Sequence, residues 1–167
     1  MKLSELMNGR TPEPQYEGFS TADDMVLAIG FTGEEATPND YIVAQQGITE
    51  HSGALEAQSQ DSQYIRTGQV NTKTGTSRTL SVSGDRYVGD AFQDALLDHA
   101  LKYGTGQTVI KPYVYFNLLT GKGEQGKVSI TVEDDPSGAA GENASFSATL
   151  TSVGIPTEYT YNAPAAG

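Results

Sequence analysis

Residues 121 to 126 read Gly121-Lys122-Gly123-Glu124-Gln125-Gly126. This is the G-x-G-x-x-G spacing that cradles a dinucleotide pyrophosphate. That chemistry needs a helix directly after the glycines, because the phosphate sits on free amides at a helix N-terminus. Here the next residues are KVSITVE, 127–133, which alternate polar and apolar and are rich in β-branched side chains. Such a pattern forms a strand. The glycines therefore read as a hairpin loop between two antiparallel strands, and phosphate binding fails on its own mechanism.

Asp90, Asp94 and Asp98 recur at i, i+4 and i+8, next to His99. On a helix this spacing stacks three like charges, each pair costing a few tenths of a kcal/mol. Three uses are open: a cation or acid-base cluster with His99, a solvated face, or a stripe that meets basic groups of another chain. His99 lies round the helix from the stripe, in line with Val88 and Phe92, so the catalytic use is disfavoured. Leu97 and Leu101 fall on the outer side with the acids, an apolar pair with no obvious partner in this chain. The run EDDPSG, 133–138, lacks the alternating ligand spacing of a calcium loop. There is no G-x-S-x-G elbow, and the second histidine, His51, stands in a turn. No metal, cofactor or catalytic set is expected.

The elements that would position these residues are mostly strands. Tyr41–Glu50 and Ala54–Gln60 are short strand candidates, followed by a long polar loop, 61–79, carrying Arg66, Lys73 and Arg78. Thr79–Ser83 alternates again. Asp85–Tyr103 is the one clear helix, starting at Asp85 or, given Gly89, at Asp90, and stopped by Gly104. Its apolar face is Val88, Phe92, Ala95, Leu96, His99 and Tyr103. Strands follow at 108–118, 127–133 and 144–152. The expected fold class is mainly β (α+β): an antiparallel sandwich-like domain, 41–153, with one flanking helix. Residues 1–40, poor in core formers apart from MVLAIGF, read as a flexible acidic arm, and 154–167 as a second arm; both would order on assembly.

The 167 residues contain no cysteine, which excludes disulfides and thiol chemistry. The start, MKLSELMNGRTPEPQ, has no apolar h-region, and MVLAIGF is too short to span a bilayer. Net charge is −11, distributed as −9 over residues 1–65, +3 over 66–127 and −5 over 128–167. That balance argues against nucleic-acid binding, although not against a surface past which nucleic acid slides without sticking. Strands 127–133 and 144–152 each pair an apolar face with one of small hydroxyls. Uncovered sheet edges invite pairing with other chains.

From Gly75 to Tyr161 the chain resembles the major tail tube proteins of long, non-contractile-tailed bacteriophages. The residues that carry this are GTSRTLSVSGDRYVGDAFQDALLDHALKYGTGQTVIKPYVYFN and KVSITVEDDPSGAAGENASFSATLTSVGIPTEYTY. The resemblance implies a β-sandwich-like fold shared with contractile-tail and type VI secretion tubes. It implies homohexameric rings whose strands close into one barrel and stack into a tube in the virion tail, made in the bacterial cytoplasm. Its partners would be a tape-measure protein, a tail terminator and distal tail or baseplate proteins, with DNA crossing the lumen unbound. Mapped onto this chain, Arg66, Lys73 and Arg78 would contact the next ring. Glu50, Glu56, Ser129, Thr131 and Thr149 would face the lumen, and Asp90, Asp94, Leu97, Asp98 and Leu101 a neighbouring subunit. The alternative is a virion decoration or glycan-binding module, with Tyr113, Tyr115, Tyr159 and Tyr161 as a sugar platform.

Overall fold

The run Met25–Ile29, MVLAI, has no polar residue, so as a strand it must bury both faces. A computed structural model, describing residues 1–33 and 36–163, places it in just that position. The elements are α1 (Leu3–Leu6), β1 (Met25–Ile29), β2 (Ile42–Val43), β3 (Ile48–Tyr64), β4 (Gly68–Asp85), α2 (Ala91–Leu96), α3 (His99–Tyr103), β5 (Ile110–Asn117), β6 (Lys122–Ser137) and β7 (Ser145–Thr160). The seven strands form one antiparallel sheet in the order β2-β1-β5-β6-β7-β4-β3. The mainly β expectation holds.

Two apolar clusters hold the sheet. On one side Leu27, Tyr113, Ile130, Leu150, Leu80 and Val82 pack against Phe92, Leu96, Leu97 and Leu101 of the two short helices. On the other side Val26, Ala28, Val114 and Phe116 pack against Leu3 and Met7 from the N-terminus and Tyr159 and Tyr161 from the C-terminus. This second cluster covers only the β2-β1-β5 end. The register continues the same side outward: Ile110 pairs with Ser129, and Ser129 with Thr151. From β6 to β3 that side carries hydroxyls.

Several expected boundaries move. Two parts of the expected N-terminal arm belong to the body: Leu3 and Met7 are buried, and β1 lies between β2 and β5, while residues 13–23 are exposed. The second arm does not begin at 154 either. β7 continues to Thr160, held by pairing with Lys122–Gln125 and by Tyr159 and Tyr161 against Phe116. Glu34, Glu35 and residues 164–167 lie outside the described residues.

Gly123 and Gly126 of GKGEQG belong to β6, and only Gly121 stays in the loop. The turn lies one step earlier, where the Gly121 N–H donates to the Asn117 carbonyl at 2.8 Å. Gly123 opposes Phe116, and a Cβ there would run into the Tyr115 carbonyl and Phe116 Cα. These glycines permit close strand approach.

The helix expected over 85–103 is present but bent, in two short segments, α2 and α3. Asp90 caps α2, accepting from the Gln93 N–H at 3.1 Å. Asp98 caps α3, accepting from the Ala100 N–H at 3.2 Å. A second cap in mid-sequence breaks the chain's helical phase. That is why the expected face fails at its ends: Val88, in the turn before α2, and His99 and Tyr103, after the break, are exposed, while Leu96, Leu97 and Leu101 reach the core.

Candidate assembly surfaces

The most extended feature is the hydroxyl-bearing side of β3, β4, β7 and β6. Adjacent strands place like residues abreast: Ser52, Ser81, Thr149 and Thr131 make one row, and Ala54, Thr79, Thr151 and Ser129 the next. The outward face is small and polar because each strand gives its alternate positions, such as Leu80, Val82, Ala148, Leu150 and Ile130, to the core. Ser52 and Ser81 share a hydrogen bond. A register shift between Val132 and Asp134 sets two consecutive acids against the edge of this face. There Glu133 accepts from the Thr149 hydroxyl and Asp134 from the Ser147 hydroxyl, each at 2.7 Å. Glu50 and Glu56 on β3 stand in register with Ser83 and Ser77. All five residues expected to line a lumen, Glu50, Glu56, Ser129, Thr131 and Thr149, therefore share one face. Beyond it β3 ends the sheet, with no partner strand on its outer edge among the described residues.

The segment expected as a long loop, 61–79, is instead half of a β-hairpin. β3 and β4 pair from Ala54 and Thr79 to Tyr64 and Gly68, with one register shift between Gln58 and Ser59, leaving a three-residue tip, Ile65-Arg66-Thr67. β4 leaves β7 at Thr79, so among the described residues the outer hairpin has no other strand beside it. Its projecting length is roughly 30 Å at the usual strand rise. Sequence reasoning missed it because neither face is apolar. The available signal was the β-branched alternation of Val70, Thr72, Thr74 and Thr76. Arg66 sits at the tip with φ 72°, an unusual conformation for a residue with a side chain. Leu55, Tyr64 and Ile65 are exposed along the hairpin, with Ile65 90% exposed. Lys73 is exposed as well.

Arg78 does not join these two bases. Its Nε donates to Glu124 Oε1 at 2.7 Å, and its guanidinium lies 5.4 Å above the Tyr115 ring. Glu124 Oε1 also accepts from the buried Tyr113 hydroxyl at 3.1 Å. Burial, and then the neighbouring Glu124 charge, push the Tyr113 phenol well above its usual range.

The acidic helix stripe is likewise occupied within the chain. Asp90 and Asp98 are caps, and Asp94 Oδ1 accepts from Arg86 Nη2 at 2.6 Å. That hydrogen bond holds the Asp94 carboxyl below the ordinary range. Leu97 and Leu101 are 9% and 6% exposed and belong to the main core. The expectation of an outward apolar pair is corrected, because the break at Asp98 rotates both toward the sheet.

No protein-family model matches the sequence, and no curated protein matches it. Solved structures do. A chain in the tail of an empty gene transfer agent particle, refined with C6 symmetry, superposes with a TM-score of 0.62 at 17% identity, covering 86% of this chain and 100% of that one. A chain of an extracellular contractile injection system sheath-tube complex gives 0.51 at 12% identity, covering 94% and 97%. A chain from the tube-terminating cap of an anti-feeding prophage gives 0.52 at 16%, covering 91% and 93%. The chain has a tail-tube-type fold.

Within the tail-tube fold the four tyrosines do not form a sugar platform. Tyr113 is fully buried in the main core and Tyr115 packs at its margin. Tyr159 and Tyr161 lie across the sheet, with ring centroids 5.4 and 6.2 Å from that of Phe116. Burial pushes the Tyr159 phenol up to about 12. Among the described residues, no group of three or more His, Asp or Glu is placed to hold a metal ion.

One structural residue escaped sequence reasoning altogether. Gln93 is fully buried, donating to the Gln46 and Asp85 carbonyls at 2.7 and 3.0 Å and accepting from the Tyr87 N–H at 2.8 Å. It ties α2 to the start of β3 and the end of β4. Nothing in the local pattern marks it, since its partners are backbone groups, and one of them, at Gln46, is distant in sequence.

Proposed function

We propose that this chain is a structural, non-enzymatic subunit of a tail tube. In this reading copies associate into hexameric rings, and rings stack into a hollow virion tail. The hydroxyl face of β3, β4, β7 and β6 turns toward the lumen. The observation that carries the reading is that face: four abreast strands of small hydroxyls with acids at the margins, ending at a free sheet edge. Closing the free edge against neighbouring copies would satisfy its backbone groups, as barrels do. A lumen of this composition has few apolar footholds and repels phosphates, which suits passage of DNA without binding.

The tape-measure protein would occupy the lumen during assembly. A tail terminator and distal tail or baseplate proteins would cap the ends. The projecting hairpin would reach the next ring, with Arg66 and Lys73 meeting acidic surface there. The exposed acid Asp94 would lie toward a neighbouring subunit beside its Arg86 partner.

Cysteine substitution tests the facing, and the absence of native cysteine makes it clean. Thr131→Cys and Thr149→Cys should react with a bulky maleimide in the free subunit and be shielded in assembled tubes. Equal labelling in both states would reject the lumenal assignment. The hairpin contact is tested separately. Arg66→Glu with Lys73→Glu should leave the circular dichroism spectrum unchanged while stopping tube growth; tubes of normal length would reject the contact.

A further inference from the structure

An isolated two-stranded ribbon is at best marginally stable in water and has no preferred direction of its own. The outer β3–β4 hairpin is such a ribbon, largely exposed on both faces from Leu55 to Tyr64 and, among the described residues, paired with no third strand. Something at its root must set where it points. The residue at the root is Arg78, one position before β4 joins β7 at Thr79.

Arg78 reaches four strands. Its backbone N–H donates to Ser152 Oγ of β7 at 3.3 Å. Its guanidinium bonds Glu124 of β6 and lies over Tyr115 of β5. Its Nη2 would lie only 2.9 Å from a Cβ placed on Gly53 of β3, so the edge strand passes close beneath it. The Arg78 and Glu124 side chains are 13% and 25% exposed. At such partly desolvated sites a charge-assisted pair is stronger than a freely exposed one. Glu124 is in turn held by the buried Tyr113 hydroxyl, so the anchor is fixed to the core.

We propose that Arg78 and Glu124 clamp the root of the hairpin, fixing its direction so that it can dock on a second copy of the chain. Arg78 is a positioning residue that acts through the ribbon it aims. The docking half of this inference rests on the tail-tube reading; the clamp does not.

Spin labels on Thr67→Cys at the tip and Thr105→Cys beside the helices read the hairpin's direction in the unassembled subunit, both sites being exposed. The otherwise native chain should give one narrow distance distribution. Arg78→Gln and Glu124→Gln should each lose it for a broad one while the circular dichroism spectrum is kept, and Arg78→Lys, which keeps the ion pair, should restore it. An unchanged narrow distribution in Arg78→Gln would overturn the clamp, whatever assembly does. Assembly is then followed by sedimentation of unlabelled Arg78→Gln and Arg78→Lys. Loss of pelletable tubes in the first and recovery in the second supports the docking role. A broadened hairpin that assembles at the native rate would overturn that role and leave the clamp standing.

Discussion

At the residue scale, most of the candidates for chemistry serve the fold. The three stacked acids resolve into two caps and one ion pair, each with a partner within eight positions. Asp94 gives a testable pH dependence. Its pKa is depressed in the fold, so its contribution is present above the ordinary Asp value and lost as pH falls through the lower, folded one. A carboxyl titration by NMR should place Asp94 below ordinary aspartates, and Arg86→Gln should return it toward them. Gln93 makes the stronger energetic claim. Gln93→Leu leaves two backbone carbonyls and one N–H without their partner, at about 1–3 kcal/mol per buried group, partly relieved by relaxation. Denaturant unfolding should show a loss of roughly 3 kcal/mol. A loss no larger than that of an ordinary surface substitution would mean that water replaces the amide.

At the scale of elements, legibility followed burial. Strands with one face in the core, such as the inner parts of β4, β6 and β7, announce themselves by alternation, since the core selects every second residue. The outer hairpin has no core to select anything, so it read as a loop. β1 was visible as an apolar patch, but it stands among polar residues, and β5, the long strand beside it, is remote in sequence. The helix was recognised and its break was not, because Asp98 fits both an exposed helical position and a new cap. That ambiguity sent Leu97 and Leu101 to the wrong side. Leu101→Ala is accordingly expected to destabilise the isolated subunit by about 2–5 kcal/mol, the usual range for a buried leucine. Had Leu101 been a contact between subunits only, unfolding of the monomer would be unaffected.

At the scale of the whole molecule, one sheet carries two unlike surfaces on its outer side. The β2-β1-β5 end is sealed by the chain's own termini, through Leu3, Met7, Tyr159 and Tyr161. The β6-β7-β4-β3 end is left open, paved with hydroxyls and edged with acids. A solitary protein gains little from such a face or from a hairpin projecting roughly 30 Å past its last neighbour. Both become useful when copies are set side by side and end to end. Strand parity put the five candidates for a lumen on the polar sides of their strands, and the register keeps all five on one face. The hairpin as a shaped element, and the diversion of Arg78 into its root, needed three-dimensional pairing that no local pattern encodes.

The central claim is that the purified chain builds a hollow tube with the hydroxyl face inward. Negative-stain electron microscopy of the concentrated protein, with a bulky electron-dense maleimide on Thr131→Cys added before or after assembly, tests it most directly. The account predicts stacked rings around an open channel, formed from unlabelled protein and closed to the label once assembled. Solid filaments, or tubes decorated with label along their outer wall, would contradict it.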